Sequence, residues 1–323
     1  MAWQRTPRGD RVEKLIAAEL VLPGLRGDHF GDVCSYARLR AYHFNGGDMA
    51  EPEQVPAGVD TSRPSPARMY DYMLGGTHNF QVDRDATHEF QAQFPDLEDA
   101  AWANRGFHGR AARWMAITQG IEQFIDIGSG LPTQSNTHQV LHAVNPSARV
   151  AYVDNDPMVM ATAQELLTGD GTTAVIQADL RDPDALLNNP DLRQLIDFDK
   201  PVGLLMTAVV QFVNDSSDPW GIVARYISAL APGSCLALSH ITGDKIPPRS
   251  VATGVRVYTR ASESAYPRTR SDIERFFNGL EIVPPYPGAS AAVCHVGVWG
   301  SEDPDGADSD GSRVFWCGVA RKP

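Results

Sequence analysis

The sequence predicts an open, doubly wound α/β sheet of seven strands, and three observations carry that prediction. From about residue 104 onward, short apolar runs alternate with amphipathic helical stretches. The first run ends in an acid and turns at once into two glycines, FIDIGSGLPT (124–133). Two later runs end the same way, at Asp154 and Asp179.

Each element follows from its own pattern. Phe107, Ala111, Trp114 and Met115 recur at helical spacing ahead of the first strand, QFIDI (123–127). After the glycines, 134–144 reads as a helix that stops near Asn145-Pro146. RVAYVD (149–154) is the second strand. Asp156-Pro157 then reads as an N-cap followed by proline at the first helical position, opening MVMATAQELL (158–167).

TAVIQAD (173–179), VGLLMTAVV (202–210) and CLALSH (235–240) are strands three to five. Ile222, Val223, Tyr226, Ile227 and Leu230 form the buried face of the helix between the last two, and APGS (231–234) turns it. Ser271-x-x-Glu274 reads as a capping box for a helix with Ile273, Phe276 and Phe277 inward and Gly279 near its end. LEIV (280–283) and RVFWCGVA (313–320) complete the sheet. The acidic stretch SEDPDGADSDGS (301–312) between them reads as a solvated loop.

The front of the chain differs. Residues 1–58 read as an N-terminal extension with one short helical pattern, RVEKLIAAELVL (11–22), and Met49 marks residues 1–48 as a dispensable lead-in. Residues 59–103 read as a helical lid segment and 104–323 as the main domain. Bulk properties exclude several functions. A net charge of −12 argues against broad binding of a nucleic-acid backbone, which needs clustered Lys and Arg. The four cysteines (Cys34, Cys235, Cys294, Cys317) form no C-x-x-C pair and the histidines no H-E-x-x-H, so no metal site is expected. The longest apolar run, PVGLLMTAVV (201–210), is about half of a bilayer span. With no apolar leader pattern either, the expected location is the cytoplasm.

In a doubly wound sheet, ligands bind beyond the carboxyl ends of the strands where strand order reverses. That brings Asp126, Gly128, Gly130, Asp154 and Asp179 to one cleft. A dinucleotide loop reads G-x-G-x-x-G, with the pyrophosphate on the following helix N-terminus. Here the register is Gly128-x-Gly130-x-x-Thr133; Pro132 removes a backbone donor, and Asp126 would repel a pyrophosphate. Both departures count against a nicotinamide-dependent dehydrogenase.

S-adenosylmethionine (SAM) has no phosphate. Its ammonium suits Asp126, its ribose diol needs an acceptor such as Asp154, and its adenine amino group can donate to Asp179. Asp154 follows Gly130 by 24 residues, near the spacing of a ribose-binding acid. Any one of these acids reads equally well as a cap or a turn residue. The three together, in order, suit a cationic nucleoside.

DTSRPSPARMYDYMLGGTHNFQVDR (60–84), NRGF (104–107), FIDIGSGLPT, VAYVDNDPMV (150–159), QADLRDP (177–183) and LAPGS (230–234) extend the argument. On these motifs, residues 58–323 resemble a class I SAM-dependent methyltransferase, and more narrowly the actinobacterial S-adenosyl methyltransferase family of unassigned substrate. The resemblance implies a Rossmann-like sheet with its last strand antiparallel, SAM as cofactor, and cofactor contacts that include Asn155 and Leu180. It also implies that the 60–84 segment lies near the cofactor. There a helix ending at Gly75-Gly76 serves a lid, with Arg68, Tyr72, Gly76, Asn79 and Phe80 as candidate contacts. Arg105 could meet the methionine carboxylate.

Methyl transfer from a sulfonium mainly needs alignment and exclusion of water. If the acceptor must lose a proton, a general base helps. His240, at the end of strand five, is the best-placed candidate; Gln211, past strand four, could position the acceptor; His78 is weaker. The expected function is methylation of a small-molecule acceptor. The alternative is a SAM-binding regulator without turnover. The acceptor atom and the oligomeric state are not legible.

Overall fold

The computed structural model describes residues 55–133, 135–167 and 171–323. The helical pattern at 11–22 and the possible start at Met49 lie outside them. Three helices precede the sheet: α1 (Pro66–Met73), α2 (Gln81–Gln91) and α3 (Leu97–Thr118). The alternating core follows as β1 (Gln123–Ile127), α4 (Thr137–His142), β2 (Arg149–Asp154), α5 (Pro157–Leu167) and β3 (Thr173–Gln177). Then come α6 (Pro183–Leu187), α7 (Pro190–Leu195), β4 (Gly203–Thr207), α8 (Pro219–Ala229) and β5 (Cys235–Ile241). The chain ends in α9 (Pro248–Arg260), α10 (Arg270–Glu274), β6 (Glu281–Ile282), β7 (Cys294–His295), α11 (Pro304–Ala307) and β8 (Phe315–Arg321).

The sheet runs β3-β2-β1-β4-β5-β8-β6, parallel through the first five and antiparallel at β8. The order reverses between β1 and β4. An eighth strand, β7, pairs with β8 in line with β6, setting Cys294 opposite Cys317. This two-residue strand was not expected. The acidic 301–312 stretch is also not wholly loop: Asp303 caps α11 by accepting from Gly306 N.

Burial on both faces of the sheet explains why its strands read as continuous apolar runs. Phe107, Ala111 and Met115 on α3 are fully buried against Phe124, Val150, Leu205 and Ala237. On the opposite face Leu186, Leu192, Val223, Tyr226, Ile273, Phe276 and Phe277 cover Ile125, Val153, Leu204, Leu236 and Leu238. α3 begins seven residues before 104, so the expected boundary between lid and main domain falls inside one helix. The proposed capping box at Ser271 is also displaced: α10 is capped by Thr269, whose side chain accepts from Asp272 N.

Helix starts repeat one device. Asp156-Pro157, Asp182-Pro183, Asn189-Pro190, Asp218-Pro219 and Asp303-Pro304 each place an Asx side chain on an orphan backbone N–H and a proline where none is needed. Among the described residues, no helix is long and apolar enough to cross a membrane.

Candidate functional site

A cavity of about 200 Å³ opens at the carboxyl ends of β1, β2, β4 and β5 and runs under α1, α2 and α9. Its floor is the loop after β1. Gly128 adopts φ +71° and donates its N–H to Val153 O at 2.7 Å, so the chain turns sharply off the strand. A Cβ on Gly128 would lie 2.2 Å from a Val209 methyl. Gly130, also at positive φ, donates its N–H to Asp154 Oδ2 at 2.9 Å. That bond clips the glycine loop to the end of β2. The helix after the loop starts three residues later than expected, behind an Asn136 cap.

The three strand-end acids have three different surroundings. Asp126 is buried and accepts from Thr137 Oγ1 at 2.6 Å. Asp154 accepts from Gly130 N and, at 3.0 Å, from Asp156 N; burial nevertheless pushes its carboxyl up to about 6. Asp179, two residues beyond β3, accepts from Arg181 Nε through both carboxylate oxygens and also from the Arg181 backbone N–H. Those bonds hold its carboxyl below the usual range although partial burial pulls the other way. Arg181 also pairs with Glu263, just past α9. Asn155, Leu180, Arg105 and Gln211 line the cavity as well. Asp156 is the cap of α5, as expected.

Arg105 sits inside α3 rather than at a helix start, and its Nη2 donates to Ser135 O. With Asp126, Ser129, Gly130 and Thr137 it also lines a small cleft adjoining the main cavity. Gln211 accepts from Ile241 N through Oε1, which fixes its amide at the cavity wall.

Two sets of candidates move elsewhere. His240 is fully buried on the far face of the sheet, stacked on Phe276. Its Nδ1 donates to Ile241 O at 2.7 Å, leaving Nε2 as acceptor for Arg268 Nη1 at 2.6 Å. Burial and Arg268 push the ring down to about 3. Both nitrogens are occupied and neither faces the cavity, so His240 is not the base.

Arg68, Tyr72, Gly76, Asn79 and Phe80 lie off the cavity lining. Arg68 is buried in an ion pair with Asp83 at 2.8 Å, and Asp83 also accepts from Phe80 N and Ser65 N. Asn79 donates to Asp71, Tyr72 meets His88, and a Cβ on Gly76 would strike the Asp71 carboxylate. These residues hold the α1–α2 corner together. The turn also places His78, whose N–H donates to Asp71. The same segment reaches the cavity through its other face, by Ser65, Pro66, Ala67, Tyr70 and Met73.

The cavity contains one imidazole that the sequence did not single out. His108 on α3 is buried, with Nε2 2.8 Å from Thr137 Oγ1 and Nδ1 2.9 Å from Thr207 Oγ1. Thr137 donates to Asp126, so its oxygen accepts from His108 Nε2–H. Nδ1 is then the bare nitrogen and accepts from the Thr207 hydroxyl. The directions form a chain, Thr207 to His108 to Thr137 to Asp126. Burial pushes the ring down to about 4, and Asp126, 3.7 Å from Nε2, opposes this only in part. Among the described residues, no cluster of His, Cys, Asp or Glu could hold a metal.

These features now meet the known proteins. A family model described as S-adenosyl methyltransferase matches residues 52–323. The crystal structure of a candidate methyltransferase from Thermobifida fusca is 38% identical, covering 84% of this chain and 99% of its own, with a TM-score of 0.76. That of a DUF574 family protein from Streptomyces avermitilis is 37% identical over 82% of this chain and 99% of its own, again at 0.76. No curated protein matches. With the model spanning all but its first 51 residues, the chain belongs to the S-adenosyl methyltransferase family.

Proposed function

We propose that the protein transfers the methyl group of SAM to a small-molecule acceptor enclosed between the strand ends and the helical roof. SAM-dependent methyl transfer follows from the family. The reading of the site rests on one observation: three acids, a glycine loop and Arg105 line a single cavity at the point where strand order reverses.

The residues fit the donor. Asp126 is placed for its ammonium and Arg105 for its carboxylate, in the cleft both line. Asp154, already held by two backbone N–H groups, offers its remaining lone pairs to the ribose diol. Asp179 and Leu180 flank the place for the adenine, with Asn155 beside it. SAM when bound supplies a methyl on a sulfonium, a leaving group that needs no further activation.

The chain then has to orient the acceptor, exclude water and receive a proton. α1, α2 and α9 cover the cavity, and Gln211 stands at its wall. For a hydroxyl acceptor, Thr207 Oγ1 takes the proton as its own passes to His108 Nδ1. The imidazolium so formed lies beside Asp126, which favours it. His108 thereby takes the role first assigned to His240. No observation favours a regulator without turnover.

Calorimetric titration with SAM and S-adenosylhomocysteine tests the donor site, followed by release of S-adenosylhomocysteine in the presence of a panel of small acceptors. Absence of binding to the folded protein would refute the reading.

A further inference from the structure

The cavity has two unlike ends. Its charged side chains gather at the strand ends, where Arg105, Asp126, Asp154, Asp179 and Arg181 lie, and Glu263 closes that side. The helical end is walled by Met73, Phe90, Phe94, Phe212, Ile246 and Val251, with Val255 at its outer edge. α9 contributes small residues where it meets α2: the Phe90 ring lies so close to Gly254 that a Cβ there would sit 2.7 Å from its edge. The roof is therefore drawn tight over an apolar lobe.

Most polar groups of this lobe are already satisfied by the protein. Tyr70 donates its hydroxyl to Ala101 O and accepts from Asn104 Nδ2. Asn104 Oδ1 accepts from Ser239 Oγ, and Ser250 Oγ donates to Gln93 O. Among the described residues the Tyr258 hydroxyl is different. Its ring packs on Phe212, but its oxygen makes no hydrogen bond within the protein, and the residue lines the cavity. A half-buried phenol in that position pairs with water or with a ligand.

From this division we infer that the methyl acceptor is an uncharged, largely apolar, ring-bearing molecule, seated in the helical lobe with one polar group on the Tyr258 hydroxyl. A charged acceptor would meet no counter-charge in this lobe and would lose its hydration on entry. A strongly polar one would face groups whose hydrogen bonds are spent. An apolar ring meets aromatic and branched aliphatic walls, as small-molecule sites commonly provide. The inference rests on the methyltransferase reading of the same cavity, since the lobe adjoins the strand ends where the donor is placed.

The test uses the full chain, saturated with S-adenosylhomocysteine, and three probes of one shape: 2-naphthol, naphthalene and naphthalene-2-sulfonate. 2-Naphthol should bind at least tenfold more tightly than the sulfonate. Tyr258→Phe should weaken 2-naphthol five- to tenfold while leaving naphthalene within twofold. Val251→Trp, which fills the lobe, should weaken both by more than tenfold. Sulfonate binding within threefold of 2-naphthol would overturn the inference, as would equal 2-naphthol affinity in Tyr258→Phe and the parent. Repeating the titration without S-adenosylhomocysteine separates the two readings: a donor site that fails leaves the probe ranking intact, and a lobe that fails leaves donor binding intact.

Discussion

Asp154 offers a pH test of the donor site. Its carboxyl is raised from 3.8 to about 6 by burial, against the lowering effect of backbone N–H donors at Gly130 and Asp156. The folded protein therefore holds this proton over a window, about pH 4 to 6, in which the unfolded chain has released it. The shift of about two units corresponds to about 3 kcal/mol of strain on the ionised form at pH 7. A ribose diol donates two hydrogen bonds, and only the ionised carboxylate accepts both freely. SAM affinity should then fall as pH drops below 6, by about tenfold at pH 5, which is about 1.4 kcal/mol. His108, pushed down to about 4, stays almost entirely neutral in this range, and the ligand's amino group stays protonated. Asp154→Asn removes the titration. Its affinity should be lower at pH 7 by about 1–3 kcal/mol and flat from pH 5 to 7. Asn rather than Ala is the informative change, because Ala would strand both backbone donors and Asn only one. Calorimetry with SAM at pH 5, 6 and 7 on both proteins reads the result. A parent affinity independent of pH, or an equal slope in the variant, would refute the assignment.

Four further outcomes follow from the geometry. His108→Gln should lower kcat about 100-fold with a hydroxyl acceptor, the scale of a lost general base; unchanged kcat would remove the Thr207–His108 relay from the reaction. His240→Phe should leave kcat within twofold but cost about 1–3 kcal/mol in urea unfolding, since buried Arg268 loses an acceptor. Both histidines refuse protons in the folded state that the unfolded chain takes up below 6.5, so each costs stability as pH falls, by about 2 kcal/mol per ring at pH 5, while the raised Asp154 carboxyl opposes them; denaturation at pH 7 and 5 measures it, and His240→Phe should make the loss smaller by about 2 kcal/mol. Gly128→Ala adds a Cβ at φ +71° and 2.2 Å from Val209, so a loss of about 2–4 kcal/mol is expected from strain and overpacking together. A melting temperature equal to the parent's would contradict that.

The sheet was legible because burial on both faces writes long apolar runs, and the start of α5 because Asp156-Pro157 marks it; the same Asx-Pro pair at four further helix starts went unread, the one at Asp303 inside a stretch that reads as a loop. α9 was not legible. Its buried residues are Ser250, Thr253, Gly254 and Val257, so the face toward the protein carries no apolar stripe. Two of its other apolar residues, Val251 and Val255, line the cavity instead. A helix that roofs a ligand space hides its period, since part of its inner face awaits the ligand. The two-residue β6 and β7 are short for a related reason: they add to β8 where the core is already closed, and pairing alone marks them.

At the site, chain position proved informative and side-chain direction did not. His240 does lie at the carboxyl end of β5, one residue before its last, but successive residues of a strand face opposite layers. Ser239 points to the cavity side, bonding Asn104 and the Ala208 N–H, which forces His240 onto Phe276. The parity was visible in the sequence; which face would carry the ligand was not, because α3, which ends at Thr118 far earlier in the chain, and α9, which starts at Pro248 after an intervening loop, decide it together. His108 was hidden for the same reason. One helix residue gains meaning only when Thr137, Thr207 and Asp126 converge on it from three other elements. The three acids show the complement. Their positions at successive strand ends were readable, yet their environments set them apart: Asp126 tied to a hydroxyl and an imidazole, Asp154 raised by burial, Asp179 answered by Arg181. In the proposed donor site an adenine amino group would share Asp179 with Arg181, and Arg181 in turn holds Glu263 beyond the roof helix. The donor end of the cavity and the covering of the acceptor lobe are therefore joined by one ion-pair chain, half exposed and so open to rearrangement at little cost.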